Sequence, residues 1–133
     1  MDTLNNAGAS LPVVLVAEDD QSNFKLINAI IGKKCQIIWA HDGQEAVDLY
    51  RAHKADIRLI LMDIKMPRMT GLEATESIRG EDKEVPIVMQ TAYAFASDRD
   101  NALRAGANDV LVKPITLILL RQAVSRYIPE VKW

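Results

Sequence analysis

Cysteine is nearly missing from this chain, with Cys35 alone among 133 residues. A lone cysteine forms no internal disulfide, and its place beside Ile37 and Ile38 in an apolar run marks a buried, inert thiol rather than a reactive one. Basic surplus is missing too: Lys and Arg number 16 against 18 acids, for a net charge of -2. That balance argues against direct contact with nucleic acid. No apolar run approaches the roughly 20 residues that span a bilayer. The N-terminus lacks the charged segment and hydrophobic stretch of a secretion signal. Internal repeats and low-complexity tracts are absent. The chain is therefore read as soluble and cytoplasmic, with neither nucleic acid nor membrane as a direct partner.

What is present suits one compact domain. At 133 residues, 49% hydrophobic and 26% charged, the chain is long enough for a sizeable core and too short for two. Residues 1–10 are small and polar, as in a tail or linker, which leaves residues 11–133 for the domain. An apolar, valine-rich run over residues 11–17 ends on Glu18, Asp19 and Asp20, the pattern of a central parallel strand buried on both faces. Phe24, Ile27, Ile30 and Ile31 then recur at helical spacing until Gly32. Further strands are expected at residues 36–40, 57–62, 86–90 and 109–112. The helices between them open at Asp42 with Glu45 and at Thr70 with Glu73, in the manner of capping boxes, and at Ser97 with Asp100. A last helix covers residues 116–128.

Strands alternating with helices through short loops give an α/β fold, a parallel sheet covered on both faces. In such sheets ligands bind beyond the carboxyl ends of the strands. The residues there are Glu18 and Asp19, then Asp63, Thr91 and Lys113. Asp63 sits in the densest signal of the chain, LILMDIKMPRMTGL over residues 59–72, where an apolar strand stops on an acid ahead of a Met-Pro turn. Carboxylates crowded at one sheet edge repel one another, and a divalent cation relieves that repulsion. Magnesium (Mg2+) prefers hard oxygen ligands and keeps waters. Asp19 and Asp63 are the expected direct ligands, with Glu18 holding a metal-bound water and the backbone carbonyl of Lys65 completing the set. One oxygen of Asp63 then stays free to attack a phosphoryl group, with Lys113 and Thr91 as donors to the phosphoryl oxygens.

Together these residues resemble the receiver domains of two-component response regulators, over about residues 13–128. The resemblance rests on the acid pair in LVAEDD, the acceptor in LMDIKMPRMTGLEA, the hydroxyl in PIVMQTA and the lysine in DVLVKPI. LVAEDDQSN and the TAYAF run look most like receivers attached to hybrid sensor histidine kinases. The resemblance implies a flavodoxin-like fold of five βα units with strand order 2-1-3-4-5. It implies that Asp63 accepts a phosphoryl group from a histidine kinase or histidine phosphotransfer protein, with magnesium required. It also implies a cis Lys113-Pro114 bond that aims the lysine across the sheet edge. A signalling domain rather than an enzyme is expected, either part of a hybrid kinase or free-standing, as a monomer or weak dimer.

Two positions depart from the family pattern. Glu18 stands where aspartate is more common, and its extra methylene bears on the metal-bound water. Val110 stands where many receivers carry an aromatic ring that turns inward as the threonine moves. A stiff valine, together with Ile118 pointing away from the sheet, favours a domain that passes phosphate on through contacts near the first helix and the active-site loops rather than one that switches dimers through the last helix. The rival enzyme reading is a small magnesium-dependent phosphatase, but those enzymes usually place a second acid two residues after the nucleophile, where this chain has Lys65. A pseudo-receiver that only docks partners is the other alternative, and the full set of reactive groups speaks against it.

Overall fold

The computed structural model describes residues 10–92 and 96–133. The elements run β1 (Val13–Ala17), α1 (Gln21–Ile31), β2 (Gln36–Ala40), α2 (Gly43–His53), β3 (Ile57–Asp63), α3 (Gly71–Arg79), β4 (Ile87–Thr91), α4 (Ala96–Ala105), β5 (Asp109–Val112) and α5 (Leu117–Tyr127). All strand pairs are parallel, in the order β2-β1-β3-β4-β5. This is the expected flavodoxin-like α/β sandwich, and among the described residues no helix is long and apolar enough to cross a membrane.

Strand alternation divides the core into two layers. Val13, Leu15 and Ala17 of β1 join Ile60 and Met62 of β3 against Ala46, Val47 and Tyr50 of α2 and Ala74 and Ile78 of α3. Val14 and Val16, with Leu59 and Leu61, face the other way onto Ile27 and Ile31 of α1 and Leu120 and Val124 of α5. Because both faces of β1 and β3 are apolar, these strands are locked at the centre of the sheet, and polar residues are left to the strand tips. Cys35 is buried in the α1–α5 layer, and burial pushes its thiol up to about 11, so it stays protonated and inert as expected.

Several element ends differ from the sequence reading for identifiable reasons. β1 begins at Val13 and β4 at Ile87 because Pro12 and Pro86 have no N–H for the ladder. Their carbonyls still accept, from Gln36 N at 2.8 Å and Ile60 N at 2.9 Å. β3 and β4 each run one residue further than expected, so Asp63 and Thr91 are the last strand residues rather than the first loop residues. Thr70 and Glu73 form the full capping box at α3. At α2 only half of it forms: Asp42 accepts from Glu45 N, but the Glu45 carboxylate turns to the backbone N–H and ring of His41. Ser97 lies inside α4 rather than beginning it, since the helix is already formed at Ala96. The TAYAF run extends over residues 93–95, outside the described residues, as does nearly all of the expected tail.

Candidate functional site

Parallel strands that all end on one side bring their terminal residues to one shelf. Glu18 follows β1 and is fully buried, while Asp19 beside it is exposed. Asp63 closes β3 and Thr91 closes β4, each only 5% exposed. Lys113 follows β5, and its backbone N–H donates to the Thr91 carbonyl at 2.7 Å, which ties the last two strand tips together. One carboxylate oxygen from each of Glu18, Asp19 and Asp63 lies within 4.8 Å of the other two. The Lys113 ammonium reaches across to donate to Asp63 Oδ2 at 3.0 Å and lies 3.4 Å from Glu18 Oε1. The Lys113-Pro114 bond is cis. Lys65, Thr91, Lys113 and Asp63 line one cleft of about 100 Å3, which Asp98 of α4 also borders.

The charges here perturb one another. Burial raises the pKa of Glu18 above the usual carboxylate range; its contact with Asp63 and the Asp63 charge add to this, while hydrogen bonds from Asn23 and Asp20 work against it. Burial disfavours the Lys113 ammonium, but the hydrogen bond to Asp63 and the charges of Asp63 and Glu18 outweigh it and hold Lys113 above its ordinary value. The donor set suits a hard divalent cation: carboxylate oxygens converge, one of them exposed, and among the described residues no histidine or cysteine joins the cluster.

The loop after Asp63 is held by close backbone approach. Gly71 N donates to the Ile64 carbonyl at 2.8 Å, and a Cβ at Gly71 would stand 2.0 Å from the carbonyl oxygen of Asp63. Only glycine allows α3 to begin so close to the acid that β3 presents. Arg68, with φ of 65°, sends its guanidinium to Asp42 Oδ2, so the loop is also pinned to the start of α2. Gly71→Ala is expected to displace the Asp63 carbonyl, with a loss of stability of about 1–3 kcal/mol. Thermal melts measure it, and a protein with wild-type melting would show that the approach is not tight.

Sequence reasoning identified the residues at the strand tips and missed those around them. Asn23 of α1 donates to Glu18 Oε1, Trp39 donates its indole N–H to the Glu18 carbonyl at 2.8 Å, and Gln90 lies buried beside Asn23. A signal for Gln90 was available, as the one amide in the otherwise apolar IVMQT strand, whereas Asn23 looks in sequence like any exposed helix residue. The two family departures are placed as follows. Val110 is buried in the core layer with Met89 and Ala102. Ile118 is 64% exposed, with Leu117 and Leu119 partly exposed on either side.

Residues 14–125 match the family model for the response regulator receiver domain. Among curated proteins, the chain is 41% identical over 129 residues to hybrid signal transduction histidine kinase I of Dictyostelium discoideum, covering 88% of this chain but only 7% of that protein. The chain thus spans a small part of that relative. Among solved structures it resembles the receiver domain of the sensor histidine kinase PA1611 from Pseudomonas aeruginosa, which has a magnesium ion coordinated in its active-site cleft (TM-score 0.81, 33% identity, 91% of this chain and 100% of that one). It also resembles a chain from the complex of the Saccharomyces cerevisiae histidine phosphotransfer protein Ypd1 with the receiver domain of the response regulator Ssk1 (TM-score 0.81, 31% identity, 88% of each chain).

Proposed function

This chain belongs to the response regulator receiver domain family, and from that membership we propose that Asp63 accepts a phosphoryl group from a phosphohistidine on a histidine kinase or histidine phosphotransfer protein. The observation that carries this reading is the Lys113 ammonium held 3.0 Å from the Asp63 carboxylate, at the shelf where Glu18 and Asp19 converge. A carboxylate oxygen of Asp63 attacks phosphorus in line, the P–N bond to the imidazole breaks, and the departing histidine takes a proton from water. The product is an aspartyl phosphate. Lys113 moves from the carboxylate to a phosphoryl oxygen, and the Thr91 hydroxyl donates to another. Neither change requires the sheet to rearrange, because both groups already border the cleft.

Asp19, Asp63 and the Lys65 carbonyl would hold magnesium, with Glu18 reaching it through water. When bound, the cation neutralises charge on the carboxylates and on the incoming phosphoryl oxygens. Residues 11–133 are the receiver and residues 1–10 a tail or linker. The domain works in the cytoplasm as a monomer or weak dimer, as part of a hybrid kinase or free-standing, and passes phosphate on rather than catalysing turnover.

The raised pKa of Glu18 gives this reading a pH signature. A carboxyl with a raised pKa keeps its proton to higher pH, and protons compete with the cation. Magnesium affinity is therefore expected to fall as pH drops, beginning above the ordinary glutamate value of about 4.3. Glu18→Gln removes that pH-dependence and weakens binding at neutral pH. Magnesium titrations at stepped pH measure it; affinity flat down to the ordinary glutamate range would show that Glu18 holds no proton above that range and would contradict this pH signature.

A further inference from the structure

Glu18 carries one methylene more than the aspartate common at its position in receivers, yet its carboxylate still lies with those of Asp19 and Asp63. The side chain is caught at both oxygens. The Asn23 amide donates to Oε1 and the Asp20 backbone N–H to Oε2 at 3.2 Å. Its backbone is fixed as well: the carbonyl accepts the Trp39 indole N–H at 2.8 Å and the N–H donates to the Ala40 carbonyl at 2.9 Å. Phe24, next to Asn23 on α1, stacks on Trp39 with ring centroids 3.8 Å apart and planes 2° from parallel. That stack sets α1 against β2 at the point from which Asn23 reaches Glu18.

Strand alternation brings in Gln90. Val16 and Val88 face the α1–α5 layer, so Glu18 and Gln90, each two residues further along, turn to that same side. Gln90 is 1% exposed, its Oε1 lies 3.5 Å from the Asn23 amide nitrogen, and its own Nε2 has no hydrogen-bond partner among the described residues. A buried amide with an unpaired N–H is less stable than an apolar side chain of the same length. The oxygen of Gln90 is the part of the side chain that makes a contact, and the contact is with Asn23.

We infer that Asn23, backed by Gln90, is a positioning residue that folds the longer Glu18 side chain back so that its carboxylate serves the cation site. This inference rests on the reading that Asp19 and Asp63 hold a divalent cation that Glu18 reaches through water. Residues that orient metal ligands typically change affinity by about 10–100-fold when removed. The shorter side chain of Glu18→Asp needs no such folding.

The test is a calorimetric magnesium titration of the whole chain as wild type, Asn23→Ala, Glu18→Asp, the double variant and Gln90→Met. Asn23→Ala is expected to weaken magnesium binding by at least about tenfold in the wild-type background and to change it little once Glu18 is aspartate. Gln90→Met is expected to weaken binding while the melting temperature holds or rises, which a purely structural glutamine would not allow. Without metal, the Asp20 amide proton resonance should move in Asn23→Ala, because the Glu18 carboxylate it bonds is released. Equal losses from Asn23→Ala in both backgrounds, or a Gln90→Met protein that binds as tightly as wild type, would overturn the inference. If the wild type binds magnesium and Asn23→Ala binds it equally well, the inference alone fails. If the wild type does not bind magnesium, the cation reading fails and takes the inference with it.

Discussion

Asp63→Asn is expected to abolish phosphoryl uptake and to leave the domain folded. The substitution keeps the size of the side chain at the tip of β3 and replaces the nucleophilic carboxylate with an amide whose nitrogen is not nucleophilic. It also withdraws one negative charge from the acidic shelf. Lys113 loses its 3.0 Å partner but keeps Glu18 at 3.4 Å, so the ammonium is not left unpaired. Incubation with a small acyl phosphate and magnesium, followed by intact-mass measurement, is expected to show added phosphate on the wild type and none on the variant. The two proteins should melt in the same range. Persistent base-labile phosphate on Asp63→Asn would move the acceptor elsewhere, with Asp20 the first place to look. That acid is an unpromising nucleophile here, because its Oδ1 already accepts from Ser22 N at 2.9 Å as the cap of α1.

The second large effect is expected at Lys113. In Lys113→Met the stem length is nearly kept and the charge is lost. A charged donor aimed at oxygens that become more negative in the transition state is typically worth about 10²–10³ in rate, and phosphoryl uptake should fall by that order. Magnesium binding should move the other way. Lys113 now occupies Asp63 Oδ2 and places a positive charge beside Glu18, so its removal frees a ligand atom and lifts a repulsion against the cation. Slower uptake with tighter magnesium binding separates an electrostatic role from a structural one. A variant that loses both together would mean that Lys113 shapes the site rather than acting on the phosphoryl oxygens.

The architecture was legible because its signals are local and redundant. The apolar runs of β1 and β3, the Thr70 cap and the Gly32 stop each point to the same alternation of elements, and the rule that ligands gather at strand ends converts that alternation into a list of site residues. The errors fell where one residue serves two purposes. Pro12 and Pro86 look like strand members by hydropathy but only accept in the ladder, and Glu45 follows Asp42 at the capping spacing yet turns to His41. What supports the site was less legible for a different reason. Asn23 meets Gln90 across 67 positions of chain, and Arg68 meets Asp42 across 26, so no local pattern marks either pair. Such pairs follow from the packing of α1 on the sheet and from the loop geometry after Met66, neither of which periodicity encodes.

The phosphoryl group is expected to land on the Asp63 carboxylate, and reduction of the adduct shows directly where it lands. Borohydride reduces an acyl phosphate to the alcohol, so an aspartate that has been phosphorylated becomes homoserine and keeps that mark through proteolysis. The wild-type chain would be treated with an acyl phosphate in the presence of magnesium, reduced, digested and sequenced by mass spectrometry. Homoserine at position 63, absent when magnesium is chelated, is the expected result; homoserine at Asp19 or Asp20, or none at any position, would contradict it.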